Sequence, residues 1–536
     1  MSFAVYAIAP GPLPQGASPA TVGNKAYNLM RLAALGLAVP TGFVLGTELC
    51  AAWLADPDAV RRRLRELVEP PVRQLEAATG LGFGDERRPL LVSVRSGAAA
   101  SMPGMLETVL NVGLNERTLR GLLRLTGNPR LAWDSYRRLI ANYAETVLGR
   151  AAAPFAAATE AALEEQRVGS ERALDTEGLR GLAHEYRKLV ERGDGPGFPD
   201  GPIDQLVGAI EAVLRSWNSP RALEYRRLNR LEQLAGTAVT VQTMVFGNAG
   251  ATSGSGVGFT RNPATGENQL YVDFLPNAQG EDVVSGRHRV LDLGAASKLL
   301  PAAFGELQTL GPLLETEFGD VQDFEFTIQD GKLYLLQTRR AKRSAWAAVR
   351  IAVDLVAEGH MTPAQALEGL AGYDLDAIER LSVEAVDGAS PLATAVAANV
   401  GVAVGALAFD TEAAKALAQR GRPAILVRED IDTADLAGMA AAVGVLTARG
   451  GRTSHGAVIA RQLDKVCLVG CAALAIEPGG QGCRIGTAGL RAGEVISLDG
   501  NTGAIYRGAV TVERERPVRE LAIIAGWRAG APRKSA

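Results

Sequence analysis

A chain of 536 residues does not close around one hydrophobic core, because single cores stop growing at about 250–300 residues. It must be several folding units in series, three or four on a prior of about 150 residues each. From the start to about Arg343, helical and β-rich stretches mix and the chemistry-bearing residues fall in separate blocks, so 1–343 reads as one composite domain. Two helical patterns fill 344–386, the second opened by Thr362 as N-cap and Pro363 at the first helical position, which makes a helical linker. Over 387–512, short Val/Ala/Gly strands alternate with helices such as Thr411 to Gln419, the mark of a compact α/β unit. The basic, proline-containing stretch 513–536 reads as a partly disordered tail. The fold class is a mixed α+β and α/β multidomain protein without internal repeats.

A net charge of -3 leaves no global basic field, which argues against a nucleic-acid partner. The longest weakly polar run, Thr394 to Phe409, is too short and too glycine-rich to span a membrane. Cys50, Cys467, Cys471 and Cys483 form neither a disulfide framework nor a zinc array and are expected as reduced core thiols. Met1 to Pro10 lacks a basic region before an apolar core, so the expectation is a cytoplasmic protein.

The segment Gly450-Gly451-Arg452-Thr453-Ser454-His455-Gly456-Ala457 sets one of four histidines among small residues at what reads as a helix start. A neutral imidazole is a competent nucleophile near neutral pH. Unpaired N–H groups at a helix N-terminus favour phosphate charge, and the flanking glycines would leave room for it. The plainer alternative makes Thr453 or Ser454 an N-cap and His455 an ordinary first-turn residue.

Three earlier blocks carry phosphate-type chemistry. Lys25 follows a glycine turn and could meet a phosphate as a point charge. Arg95 closes a short strand, Val92 to Arg95, where an arginine can stabilise charge on a transferring phosphoryl group. Asn248 to Pro263 reads as a glycine-serine loop between apolar runs, in which Thr252, Ser253, Gly254, Ser255 and Gly256 would bring backbone N–H groups onto phosphate oxygens. It is neither a Walker A loop nor a Rossmann fingerprint. A solvated lysine, a salt-bridged arginine and a plain hairpin are the structural alternatives.

From Asp323 to Arg339 the pattern is a hairpin. Period-two alternation puts Asp323, Glu325 and Thr327 on one face and Phe324, Phe326 and Ile328 on the other. A two-residue Asp330-Gly331 turn would place Gln337 and Arg339 on the apolar side. A three-residue turn, Gln329 to Gly331, sets Asp323 opposite Gln337 and puts Gln337 and Arg339 on the face of Glu325. The three-residue turn is the expectation.

These blocks, with Ala132 to Arg138, Arg215 to Ala222, Gly236 to Gly247 and Asn277 to Val284, resemble in order the pyruvate phosphate dikinase family from about Gly23 to Gly503. The resemblance implies an ATP-grasp nucleotide-binding domain, a helical linker and a swivelling β/β/α phosphohistidine domain. His455 would carry the phosphoryl group. Lys25 and Arg95 would grip the ATP phosphates, and the Thr252 to Gly256 loop would cover them. Glu325 and Gln337 would line the Mg2+ and γ-phosphate site beside Asp323, and Arg339 would add positive charge. Thr453 matches a regulatory threonine of plant relatives, with an N-cap as the alternative. Asp273 stands where the family has glutamate, Gly456 replaces the commoner alanine, and Ser390 to Gly405 departs from the family pattern.

In that family a (β/α) barrel binding pyruvate or phosphoenolpyruvate follows the histidine domain. This chain stops at Ala536, short of such a barrel of roughly 250 residues. The expectation is the ATP and phosphate half-reaction of a phosphotransferase, with a separately encoded barrel protein or another molecule as final acceptor. Two alternatives stay open: a phosphoenolpyruvate-synthase-like or other small-molecule phosphotransferase, and a regulatory nucleotide-binding phosphocarrier. The oligomeric state is not legible.

Overall fold

A five-stranded antiparallel sheet runs in the order Val5–Ile8, Gly42–Leu45, Ala238–Thr243, Val92–Gly97, Thr108–Val112 in the computed structural model of the chain. The structure describes residues 3–100, 102, 105–193, 195–284, 288, 290–384, 390–431, 435–452, 454–477 and 479–530, with His455 and Gln462 described by backbone alone. The chain divides into two compact units, Met1–Gly250 with Tyr334–Thr338, and Ala251–Leu333 with Arg339–Ala536.

In the first unit, register puts Val94, Val241 and Phe43 on one sheet face and Arg95, Thr240 and Val44 on the other. The apolar face packs on helices. Along Pro57–Thr79 the buried residues Val60, Leu64, Val68, Val72 and Leu75 recur at helical spacing, and they join Phe43, Val94 and Val241 in one core. Asp56 caps that helix at its start, and left-handed Gly80 ends it. Pro129–Thr146 adds Tyr136 and Tyr143 to the same core from behind an Asn128 cap.

The second unit begins with strands in the order Tyr271–Pro276, Gly254–Phe259, Gln322–Gln329, Lys332–Arg340. The stretch read as a glycine-serine loop is a strand from Gly254 onward, buried throughout. Its glycines have a packing reason. A Cβ on Gly254, Gly256 or Gly258 would lie 2.2, 2.3 or 2.4 Å from the ring tip of Phe274, Phe326 or Phe324. These rings fill one face of the sheet, and Phe304 of the helix Pro301–Phe318 packs edge-on against Phe274 and Phe326.

The hairpin between the last two strands corrects the expected turn. Asp330 and Gly331 both have positive φ, 51° and 80°, the signature of a two-residue turn. Such a turn alone would set Val321 opposite Arg340, yet Ala341 donates its N–H to the Val321 carbonyl at 2.9 Å. One extra residue is therefore accommodated as a bulge. It turns Arg339 onto the Asp323 face, where its Nε donates to both carboxylate oxygens at 2.8 Å.

Further along, four parallel strands, Val402–Ala408, Ala424–Arg428, Gly444–Thr447 and Val466–Val469, form the centre of an eight-stranded mixed sheet. Alternate residues feed two cores, as parallel strands covered on both faces require. Leu426, Val445 and Cys467 meet Ala414, Met439, Ala457 and Ala460 of the helices, whereas Ile425, Val427 and Leu446 meet Leu474, Cys483 and Leu490 of a three-stranded sheet. The helix Thr411–Gln419 has the bounds read from sequence, with Asp410 as cap. All four cysteines are free and buried.

The linker helices are Ala345–Ala357 and Pro363–Gly369, the second opened by a Thr362 capping box. Residues 513–530 of the stretch read as a partly disordered tail are structured, and 531–536 lie outside the described residues. Val512–Glu515 pairs antiparallel with Arg380–Val383, and Val518–Gly530 is a helix. Ile524 is buried against Val349 and Val353, with Leu521 and Trp527 packed around them, so a stripe at spacing three holds the helix on the linker.

Candidate active site

In the first unit the Lys25 block and the Arg95 strand are brought together by backbone. Gly23 takes φ 76° inside the helix Pro19–Ala34, and a Cβ there would lie 2.3 Å from the Gly97 carbonyl oxygen. Only glycine permits that approach. The Asn24 N–H then bonds the Ala98 carbonyl at 3.0 Å and its side chain donates to Ala99 at 2.6 Å. Lys25 is thus anchored beside the end of the strand that carries Arg95. Asn28 of the same helix donates to the Thr338 carbonyl at 2.9 Å, which sets the residue after Gln337 against it.

Arg95 sits directly across from Thr240. Its Nε and the Thr240 hydroxyl are both buried without a hydrogen-bond partner among the described residues. Buried polar atoms are ordinarily satisfied, so two unmet ones across from each other on one sheet face make this a candidate place for a polar ligand. Thr240 was not singled out in the sequence, where only its pairing with Arg95 could have flagged it.

In the second unit, register assembles a polar face. Ser255 and Thr327, Val257 with Glu325 and Asp273, and Phe259 with Asp323 and Tyr271 stand across from one another. The split of Asp323, Glu325 and Thr327 from the phenylalanine face is the one read from alternation. Burial pushes the Asp323 carboxyl up to about 6, against the pull of Arg339 and Arg461. It remains ionised at neutral pH, paired with Arg339. The Ser253 hydroxyl accepts the Asp330 N–H at 2.9 Å, Thr252 offers its carbonyl to Gly331 at 2.9 Å, and the Ser255 and Thr327 hydroxyls meet at 3.0 Å. These contacts brace the hairpin. Arg261 of the same block is structural: fully buried, it pairs with Glu315 at 2.7 Å and with Glu358.

His455 opens the helix His455–Gln462, directly after the loop that leaves the carboxyl end of the parallel strand Gly444–Thr447. In open α/β sheets ligands bind at such strand ends. Ser454 is the N-cap, accepting the Ala457 N–H at 3.4 Å. Thr453 lies outside the described residues. Two of the glycines here have a packing reason: a Cβ on Gly456 would lie 2.6 Å from Ile431, and one on Gly451 would lie 2.8 Å from Val290 and 3.1 Å from the Asp273 carboxylate.

Beside the histidine, the Arg452 guanidinium lies 4.7 Å from the Tyr271 ring centre and Arg461 lies 5.3 Å from that of Phe259. Arg461 donates to the carbonyls of Ala457 and Arg452, tying its helix to the loop that holds the histidine. Burial lowers its pKa, opposed by Tyr271, Asp273 and Asp323. The loop and helix that carry His455 therefore press two arginines onto the face bearing Asp323 and Glu325. Sequence reasoning assigned neither arginine a role; Arg452 lies three residues before His455 and Arg461 in the last turn of its helix, and that proximity was the available signal.

Two domains of known kind coincide with this geometry. Residues 63–291 match the pyruvate phosphate dikinase AMP/ATP-binding domain, and residues 421–503 match the mobile domain of PEP-utilising enzymes. Arg95 and Thr252–Gly256 fall in the first match and His455 in the second, while Lys25 and the Asp323 hairpin lie outside both. The chain thus carries, in series, a region similar to an AMP/ATP-binding domain and one similar to the mobile domain of PEP-utilising enzymes.

More particularly, it is similar to pyruvate, phosphate dikinases. That of Clostridium symbiosum is 42% identical over 495 residues, 92% of this chain and 57% of the relative. Chloroplastic pyruvate, phosphate dikinase 1 of Zea mays is 41% identical over 508 residues, 94% and 54%, and the Entamoeba histolytica enzyme is 40% identical over 513 residues, 95% and 58%. The chain spans a little over half the length of these relatives. Among the described residues no helix is long and apolar enough to cross a membrane.

Proposed function

We propose that this chain is a pyruvate, phosphate dikinase-like phosphotransferase built from an ATP-grasp domain over 1–343, a linker over 344–386 and a swivelling phosphohistidine domain over 387–512. The observation that carries the reading is His455 at a helix N-terminus beyond a parallel strand, within a region similar to a PEP-utilising mobile domain. Lys25 and Arg95 bind nucleotide phosphates; Arg95 and Thr240 supply unmet buried donors for such a ligand. By resemblance Thr252 to Gly256 would cover the phosphates, and Arg339, held by Asp323, contributes positive charge as phosphate charge shifts.

Carboxylate and amide oxygens suit magnesium, and the polar face carries Glu325 in register with Asp273. Glu325 and Gln337 would hold the ion, which supplies charge neutralisation when bound. The imidazole of His455 attacks a nucleotide phosphoryl group, AMP leaves, and phosphate takes the terminal group as pyrophosphate. The phosphohistidine then passes to pyruvate on a separate barrel protein or to another acceptor.

Nucleotide analysis after mixing the chain with Mg-ATP, with and without phosphate, tests this. AMP in both cases and pyrophosphate only with phosphate is expected. ADP as the sole product, or intact ATP, defeats the reading.

A further inference from the structure

On the far face of the first unit's sheet lies a cavity of about 450 Å³ between the strands Val5–Ile8 and Gly42–Leu45 and the helix Pro57–Thr79. Its strand-side lining includes Val5, Ala7 and Phe43, on the face opposite Tyr6, Val44 and Thr240. Arg95 and the nucleotide-binding groups are on that other side. The volume falls within the range of about 300–1,000 Å³ typical of small-molecule sites.

The helix wall is unusual. Pro70 and Pro71 sit in the middle of a 23-residue helix and line the cavity together with Glu66 and Leu67, four residues earlier. Proline has no N–H, so the carbonyls of Glu66 and Leu67 lack their ordinary helical donors. Two main-chain acceptors of lining residues thereby go without their i+4 donors. Glu66 is the one charged residue of the lining, and Gln74 and Thr41 are its polar side chains. The rest is apolar. An apolar body with acceptors and a single carboxylate at its rim selects for an apolar ligand that carries a hydrogen-bond donor and positive charge.

We infer that this cavity is a second ligand site, independent of the nucleotide, for a small apolar amine. The ammonium group donates to the Glu66 carboxylate and to the carbonyls that lack an i+4 donor, while the hydrocarbon part lies against Phe43 and Leu75.

Titration of the full chain with phenethylamine, followed by ligand-observed NMR, tests the inference, with phenylacetate as the anion of the same size. Saturable binding of the amine, at least tenfold tighter than the acid and undisturbed by Mg-ATP or by His455→Ala, is expected. Glu66→Gln on the exposed rim weakens it about fivefold or more, and Ala78→Phe, which fills the cavity, removes it. Equal binding of acid and amine, displacement by Mg-ATP, or binding that survives both substitutions overturns the inference. So does the absence of saturable amine binding.

Discussion

Gly256→Ala separates two accounts of the same glycine, one in which it covers phosphate and one in which it makes room for a ring. The added Cβ would lie 2.3 Å from the Phe326 ring tip and 2.9 Å from the Asp273 carbonyl oxygen. Carbon atoms settle at about 3.5–4.0 Å, so the ring must retreat by about 1.2 Å. It has nowhere to go: Phe326 is 1% exposed, stacked on Phe274 at 6.1 Å and backed edge-on by Phe304. Overpacking of this kind costs about 1–3 kcal/mol, and the backbone oxygen on the other side favours the upper end.

For a unit of this size that is a fall of roughly 4–8 °C in its unfolding transition. Differential scanning calorimetry is the assay, because a chain of two units does not unfold in one step. Phe326→Leu alone costs about 1–2 kcal/mol as a cavity. Combined with Gly256→Ala it should cost less than the sum, with a coupling on the order of 1 kcal/mol. A Gly256→Ala protein that melts within a degree of the parent but no longer reacts with ATP would refute the packing argument.

Asp323 gives a pH signature. Its folded pKa of about 6 lies above the ordinary 3.8, so the contribution is complete below about pH 4 and is lost as pH rises through 6. Relative to Asp323→Asn, the parent should lose on the order of 2–3 kcal/mol between pH 4 and pH 7, seen in urea unfolding at each pH; parallel curves contradict this. Arg339→Met strands the Asp323 carboxylate and should destabilise by about 1–3 kcal/mol, less than a fully buried pair because Arg339 is partly exposed. Stability unchanged in thermal melts would show the pair to be idle. Ser454→Ala removes the cap on the histidine helix; its 3.4 Å bond is long, so about 0.5 kcal/mol is expected, with the effect on His455 modification exceeding the effect on melting.

Local signals were readable and distant ones were not. Thr362-Pro363 and the bounds Thr411 to Gln419 follow from capping and periodicity within a few residues, and both appear as read. The polar and aromatic faces of the Asp323 strand follow from alternation. The turn was missed because a bulge restores at the far end the facing that a two-residue turn removes, and a bulge leaves no mark in composition. The strand from Gly254 was read as a loop because the rings that demand glycine come from Phe274 and Phe326, on other strands. The helix Val518–Gly530 was legible in Leu521, Ile524 and Trp527, but the basic residues around them masked the stripe. Thr240, Arg452 and Arg461 acquire meaning from what lies across from them, which one sequence does not list.

The central claim is that His455 carries the phosphoryl group. Mass spectrometry of the peptide containing His455, after brief exposure of the chain to Mg-ATP and quenching at alkaline pH, tests it most directly. An acid-labile phosphoryl or pyrophosphoryl mass on that peptide, absent from His455→Ala, is the predicted result. An adduct on another residue, or AMP formation undiminished in His455→Ala, would contradict the account.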